Sequence, residues 1–171
     1  MERLDGKRIV VTGGTSGMGE GVVRAFPALG AKVVFWGRNE AAGQKIAEET
    51  GAIFIKADVS EKETVDEAMK KSVEILGGID VLVHAAGIAP HCPAEHIQFE
   101  DWKAVLDINT TGTFLVNEAV FPYMKENGGN ILNFTSASAF INSPGQAHYA
   151  ASKGAVNAWS RTIAKEWMRF N

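Results

Sequence analysis

The stretch Arg8-Ile-Val-Val-Thr-Gly-Gly-Thr-Ser-Gly-Met-Gly19 decides the fold. An apolar, β-branched run leads straight into spaced glycines. Val22, Val23, Phe26 and Leu29 then make one helical stripe, which Gly30 stops. A strand that feeds a helix through a glycine turn is the opening unit of a nucleotide-binding βαβ fold. Gly13 permits the tight turn out of the strand. Gly17 lets the backbone approach a pyrophosphate, and Gly19 lets the helix pack closely on the sheet. Thr15 and Ser16 add hydroxyl donors, while the free N–H groups of the helix start around Met18 face the phosphates.

Outward from this turn the chain alternates. Strand-like runs recur at Lys32–Trp36, Ala52–Ala57, Ile79–His84 and Asn130–Thr135. Several are apolar throughout, as strands buried on both faces must be. Helical segments separate them. Asn39 is placed to cap one, which Gly51 ends. A second runs from Glu61 to Leu76 with Asp66–Lys70 and Glu67–Lys71 as acid-to-base pairs one turn apart, a third from about Asp101 to Lys125, and the last from Ala147 onward. This alternation predicts an α/β fold: a doubly wound parallel sheet with helices on both faces, and residues 1–171 as a single nucleotide-binding domain.

The 171 residues carry a net charge of −3 and no basic run, which gives no footing for a nucleic-acid partner. Cys92 stands alone, no apolar stretch reaches the roughly 18–20 residues of a membrane span, and the first eight residues are too polar for a secretory signal. A cytoplasmic protein with no membrane partner is the expectation. His84, His91, His96 and Cys92 lie close in sequence, but no ligand spacing among them supports a metal site.

Tyr149-Ala-Ala-Ser-Lys153 sets two titratable groups one helical turn apart on one face. A phenol of ordinary pKa ~10 is a poor base near neutrality, and a neighbouring ammonium favours a charged phenolate. Ser136 lies thirteen residues before Tyr149, at the end of the fifth strand, and Asn109 lies in Asp107-Ile-Asn-Thr-Thr-Gly112. With the Gly-x-x-x-Gly-x-Gly spacing of Gly13, Gly17 and Gly19, these residues resemble the short-chain dehydrogenases/reductases, and the resemblance runs from Leu4 to Asn171. It implies a Rossmann-like sheet of strand order 3-2-1-4-5, and hydride exchange between a nicotinamide cofactor and the carbonyl or carbinol carbon of a small substrate. Tyr149 handles the oxygen's proton and Ser136 steadies that oxygen. Lys153 assists Tyr149 and grips the nicotinamide ribose, and Asn109 interrupts its helix and supports a water relay. The nearby Ser138 ranks below Ser136.

For the cofactor, the resemblance places an acid at the end of the second strand in NAD users. Here Gly37 stands there and Arg38 follows. A guanidinium can grip a 2′-phosphate with no carboxylate in competition, so NADP is expected over NAD. Asp58 and Val59 stand where the family binds adenine, although a turn or capping aspartate reads the same way. In His84-Ala-Ala-Gly87 the backbone of Ala85, Ala86 and Gly87 can line the cofactor, but the two family asparagines are missing, and with them the bonds that brace adjacent strands. His84 reads as packing at a strand end.

The family continues past the fifth helix into two more strands and a substrate-covering segment, so the expectation is a C-terminally truncated chain. The fifth strand, uncharged and free of proline, would then be a bare edge. The last helix shows a small stripe, Ala151, Ala155, Ala158 and Thr162, and a bulky one, Val156, Trp159, Ile163 and Trp167. One could face the sheet and the other a partner helix, so homo-oligomers through residues 101–125 and 147–170 are expected. A nucleotide-binding module without catalytic activity is the competing reading.

Overall fold

A computed structural model describes residues 3–170. Five parallel strands, β1 Arg8–Thr12, β2 Lys32–Gly37, β3 Ile53–Lys56, β4 Val81–His84 and β5 Asn130–Asn133, lie in the order β3-β2-β1-β4-β5. The register pairs Val10 with both Val34 and Leu82, so the centre of β1 is flanked on each side by apolar residues. Ile9, Val10, Val11, Val34 and Phe35 have no exposed surface. Each such side chain contributes about 1.5–3 kcal/mol by burial.

Strand alternation divides these residues between two cores. Ile9, Val11, Phe35 and Val83 meet Val23 of α1 (Gly17–Ala25) and Ile46 of α2 (Glu40–Thr50). Val10, Val34, Trp36 and Leu82 meet Val65 and Met69 of α3 (Lys62–Leu76), together with Val116 and Val120 of the helix that precedes β5. The doubly wound architecture follows directly from this division. Trp36 is buried without strain because its Nε1 donates to Ser72 Oγ at 3.0 Å. Local punctuation acts as the sequence predicts at α2: Asn39 Oδ1 accepts from the Ala42 N–H at 3.0 Å, and Gly51 ends the helix at φ +73°.

Five expectations need correction, two of them, strand bracing and Arg38, within the site. The helix expected over 101–125 is two helices, α4 Phe99–Leu106 and α5 Gly112–Met124, joined by a wide π-type turn at Asp107–Thr111. A residue inserted into a helix in this way leaves its periodicity nearly intact, so the resemblance, which has Asn109 interrupting its helix, marks the turn where the pattern does not. Asp66 pairs with Lys62 at 2.9 Å, in place of Lys70, whereas Glu67–Lys71 forms as expected at 2.6 Å. The strands are also shorter than the apolar runs, β5 ending at Asn133 and β4 starting at Val81, although Asp80 N still donates to Arg8 O at 2.8 Å and Phe134 N to His84 O at 3.3 Å. The fourth concerns strand bracing and is described with the site below.

The last helix, α6 Ala147–Trp167, resolves the two-stripe question. Val156 and Ile163 are buried and Trp159 and Trp167 half-buried, whereas Ala151, Ala158 and Thr162 lie exposed. The bulky stripe therefore packs inward, with Trp159 Nε1 donating to Asn117 Oδ1 at 3.1 Å and Trp167 stacked on Phe121. β5 forms the outer edge of the sheet, and its Leu132 is 53% exposed. Among the described residues no helix is long and apolar enough to cross a membrane.

Candidate active site

A cleft opens at the C-terminal ends of the strands, where open α/β sheets bind their ligands. Four chain turns build it. The first supplies Gly13, Thr15 and Ser16; the second, Trp36, Gly37 and Arg38; the third, Ala57, Asp58 and Val59; the fourth, Ala86, Gly87 and Ile88. Gly13 has φ +67°, and a Cβ there would stand 2.7 Å from Ala86 Cα, so glycine is required both by the turn and by the approach of the fourth loop. Gly17 is different. Its φ is +56°, but a Cβ would meet nothing within 4 Å, which leaves open space above the start of α1. Gly19 is buried, with the Gly13 carbonyl against its Cα. Ser16 is the N-cap of α1 yet makes no capping bond, so its hydroxyl is uncommitted. Gly17, Met18 and Gly19 do not line the cleft wall themselves, and neither does Ala85, whose N–H is held by the Thr12 carbonyl at 3.3 Å. Met18 projects outward, 63% exposed.

The cleft suits a dinucleotide: glycine-lined backbone at a helix start, free hydroxyls, and an exposed guanidinium on the far wall. One detail differs from the sequence reading. Arg38 is not without a competing carboxylate, because Asp58 Oδ2 lies 3.8 Å from its Nη1. Side-by-side pairing of β2 and β3 brings the two together. The separation exceeds a hydrogen bond and both groups are partly solvated, so the attraction is weak. Asp58 also serves the turn, its Oδ1 accepting from Ser60 N at 3.0 Å and Ser60 Oγ at 2.7 Å. The turn reading of Asp58 thus holds, and its Oδ2 faces the cleft beside Arg38.

Strand bracing, the fourth correction, is not lost at His84. Thr12 Oγ1 and His84 Nδ1 are 2.8 Å apart, and the same hydroxyl accepts from Ala86 N at 3.3 Å, tying β1 to the turn after β4. His84 thus braces the strands through Thr12, one residue before Gly13, which no sequence motif marks. Burial, and secondarily the positive charge of Lys153, pushes His84 down to about 3. Above the ordinary imidazole value of about 6.5, folded and unfolded chains both carry a neutral ring. Between that value and about 3 only the unfolded chain takes up the proton. Stability therefore falls with falling pH, by up to ~1.4 kcal/mol per pH unit. Urea denaturation at pH 7 and pH 5 is expected to show wild type losing about 2 kcal/mol more than His84→Asn. Equal losses in the two proteins would rule out a neutral ring in the fold.

The second half of the site lies beyond Gly87. A Cβ on Gly87 would be 3.1 Å from Asn109 Oδ1 and 3.6 Å from Lys153 Nζ, so this glycine joins the cleft to the residues of α6 and the π-type turn. Asn109 is fully buried. Its Oδ1 accepts from Ile88 N at 2.8 Å, and its Nδ2 donates to Ile88 O at 2.9 Å and Ser152 Oγ at 3.0 Å. Ser152 in turn donates to the Tyr149 carbonyl at 2.7 Å. The Asn109 carbonyl accepts from Thr113 Oγ1 at 2.6 Å, so a water held there would use its second lone pair. Ser152 and Ile88 are network members that no sequence motif marked.

Lys153 is 6% exposed, and burial holds its ammonium below the usual lysine range. Its Nζ donates to the Phe134 carbonyl at 2.7 Å and lies 5.9 Å from the centre of the Tyr149 ring. Thr135 Oγ1 donates to the Lys153 carbonyl at 3.1 Å, fixing the end of the fifth-strand segment against α6. Tyr149 is half-buried in the first turn of α6. Ser136 caps the short turn Ala137–Ala139, its Oγ accepting from Ser138 N at 3.2 Å. Ser138 is committed elsewhere, to Ser143 at 2.9 Å and Gln146 at 3.4 Å. Among the described residues no group of three or more His, Cys, Asp or Glu side chains could hold a metal ion.

Comparison with known proteins accords with this geometry. The family model described as short chain dehydrogenase matches residues 7–171. A 3-oxoacyl-(acyl-carrier-protein) reductase of Synechocystis sp. is 36% identical over 173 residues, covering 97% of this chain and 70% of that protein. A 3-beta-hydroxysteroid dehydrogenase of Comamonas testosteroni is 41% identical over 164 residues, covering 95% of this chain and 65% of its relative. The crystal structure of a short chain dehydrogenase from Mycobacterium smegmatis superposes with a TM-score of 0.95 at 29% identity, covering 99% of this chain and 75% of that one.

Proposed function

The chain belongs to the short-chain dehydrogenase family, and on that premise we propose that it is an NADP(H)-dependent oxidoreductase in which Tyr149 exchanges the proton on the substrate oxygen. Pyridine-nucleotide-dependent hydride transfer to or from a carbonyl or alcohol carbon is the family's chemistry; the cofactor, the acid–base residue and the substrate are the finer assignments. One observation carries them. An almost fully buried lysine amine, with a single protein acceptor, stands 5.9 Å from the Tyr149 ring and against the glycine that closes the dinucleotide cleft.

In this reading Gly13, Thr15, Ser16 and the backbone of Gly17, Met18 and Gly19 hold the pyrophosphate side. Asp58, Val59, Ala86 and Gly87 line the adenosine and ribose path, and Ala85 backs it from β1's side, its N–H held by the Thr12 carbonyl. When bound, the nicotinamide supplies or receives the hydride at its ring C4. Lys153 has donors left after Phe134 and offers them to the nicotinamide ribose. Ser136 Oγ donates a hydrogen bond to the substrate oxygen, and Tyr149 Oη gives that oxygen its one proton or removes it. Asn109 is a positioning residue: it holds the Ile88 backbone and, through Ser152, the first turn of α6.

NADP is preferred because Arg38 is 61% exposed at the end of β2, where Gly37 carries no acid. Losing a charge-assisted contact to a phosphate costs about 1.5–3 kcal/mol, so Arg38→Gln is expected to weaken NADPH about 10–100-fold while NADH affinity stays unchanged. Titration of each cofactor by its fluorescence checks this, and equal weakening of both would refute the assignment.

A second reading, a nucleotide-binding module without turnover, draws on the exposure of Phe140 and Ile141, 67% and 63%, beside the Ser136 turn. Those side chains leave that flank of the pocket open to solvent. NADPH oxidation with a panel of ketones separates the two: fluorescence binding without turnover favours the module. Self-association is proposed through the outward small residues of α6 and the exposed Phe114 and Tyr123 of α5. The chain is proposed to act as one nucleotide-binding unit.

A further inference from the structure

We propose that Asn117 and Asn133 form a positioning pair that sets where the end of β5 lies along α6, and with it where the Phe134 carbonyl holds the Lys153 ammonium; this rests on the reading above in which Lys153 assists Tyr149. The two side-chain amides bond each other reciprocally. Asn117 Nδ2 donates to Asn133 Oδ1 at 3.0 Å, and Asn133 Nδ2 donates to Asn117 Oδ1 at 2.8 Å. Two further partners come from α6: Trp159 Nε1 donates to Asn117 Oδ1 at 3.1 Å, and Asn133 Nδ2 donates to Ser160 Oγ at 2.9 Å. An indole N–H can only donate, so Trp159 fixes which end of the Asn117 amide is oxygen, and the polarity of the whole chain of bonds follows. Asn117 has no exposed surface and belongs to α5, so α5, β5 and α6 all meet at this pair.

Buried reciprocal hydrogen bonds add little net stability over an apolar pair of the same volume, but they have direction. Direction matters here because β5 is the outer strand, and among the described residues it pairs with β4 alone. The chain after Asn133 then gives three consecutive residues to the site. Phe134 O accepts from Lys153 Nζ at 2.7 Å, Thr135 Oγ1 donates to the Lys153 carbonyl at 3.1 Å, and Ser136 is the proposed donor to the substrate oxygen. Ser160 lies seven residues after Lys153, about two helical turns along the same face. Residues 133–136 are therefore pinned to α6 at two points, Asn133 to Ser160 and Thr135 to Lys153. Asn133 is the pin farther from the chemistry. Releasing it frees the residue next to Phe134, and the carbonyl that holds the ammonium moves with it.

The test uses the full chain with Asn117→Leu, Asn133→Leu and the double variant, which keeps the volume and removes both partners together. Thermal melting, kcat for ketone reduction, and the pH of half-maximal turnover in alcohol oxidation are measured. The double variant is expected to melt within a few degrees of wild type yet lose about tenfold in kcat, the effect of a small misplacement. Its oxidation profile should move up by about one pH unit, because Lys153 is the cation beside Tyr149, while the buried His84 stays neutral. Each single variant should lose as much kcat as the double, since the two amides act as a unit. Ile163→Val, a buried truncation on the same helix, should lower melting and leave the profile in place. Wild-type kcat and profile in the double variant overturn the proposal, as does an equal profile shift in Ile163→Val. Where the leucine variants fail to fold, Ser160→Ala gives the same reading: it frees Asn133 from α6 and should lower kcat about threefold. An unchanged kcat there overturns the pair. A wild type that turns over no ketone or alcohol defeats the oxidoreductase reading instead. Crystal structures of the variants then decide the pair, which is overturned if Lys153 Nζ stays 2.7 Å from Phe134 O.

Discussion

Tyr149→Phe is expected to lower the turnover of an NADPH-coupled ketone reduction by about 10²–10⁴-fold, the range that a positioned acid–base group contributes. The substitution removes one oxygen and leaves the ring. The Lys153 ammonium keeps its place, because its one protein bond is to the Phe134 carbonyl and not to the phenol. The helix also keeps its first turn, since Ser152 binds the Tyr149 carbonyl, which phenylalanine retains. NADPH binding should therefore be nearly unchanged, and the loss should fall on kcat rather than on cofactor affinity. Undiminished turnover would sink the assignment of Tyr149. A parallel collapse of NADPH affinity would point to a structural role for the phenol instead.

The largest expected effect on stability is at Gly13. In Gly13→Ala an ordinary residue is forced to φ +67°, at about 1–2 kcal/mol, and its methyl is driven to within 2.7 Å of Ala86 Cα and Ala86 N. Overpacking against backbone adds about 1–3 kcal/mol, because main chain cannot swing aside as a side-chain tip can. The sum, about 2–5 kcal/mol, lowers the melting temperature of a chain this size by roughly 5–15 °C. Gly17→Ala is the informative contrast. It carries a left-handed penalty of the same kind but meets no atom within 4 Å, so melting should drop by only a few degrees while NADPH affinity falls, the methyl occupying the space proposed for phosphate. A melting loss at Gly17 as large as at Gly13 would show that the open space there belongs to the fold and not to a ligand.

The two glycines also mark what a sequence can reveal. Gly13, Gly17 and Gly19 were legible as a turn, since strand, glycines and helix follow within a dozen residues and their spacing reports local backbone needs. The different duties of Gly13 and Gly17 were not legible, because the deciding neighbour, Ala86, lies more than seventy positions away. His84 shows the same limit. Its departure from asparagine read as lost bracing, yet Thr12 restores the brace across the β1–β4 pairing.

What the sequence determined by itself was everything carried by short-range pattern: five apolar runs, the intervening amphipathic segments, the Asn39 cap, the Gly51 stop, and so a parallel sheet with helices on both faces, whose strand order rests on the family resemblance. Its motif spacing also nominated Asn109, Ser136, Tyr149 and Lys153. The tertiary structure alone decided which stripe of α6 turns inward, that Asp58 faces Arg38, and that Lys153 rests on the Phe134 carbonyl. The reason is physical. Periodicity and capping act between residues a turn or less apart, whereas these contacts exist only after strands distant in sequence have been laid side by side and their loops gathered at one end of the sheet.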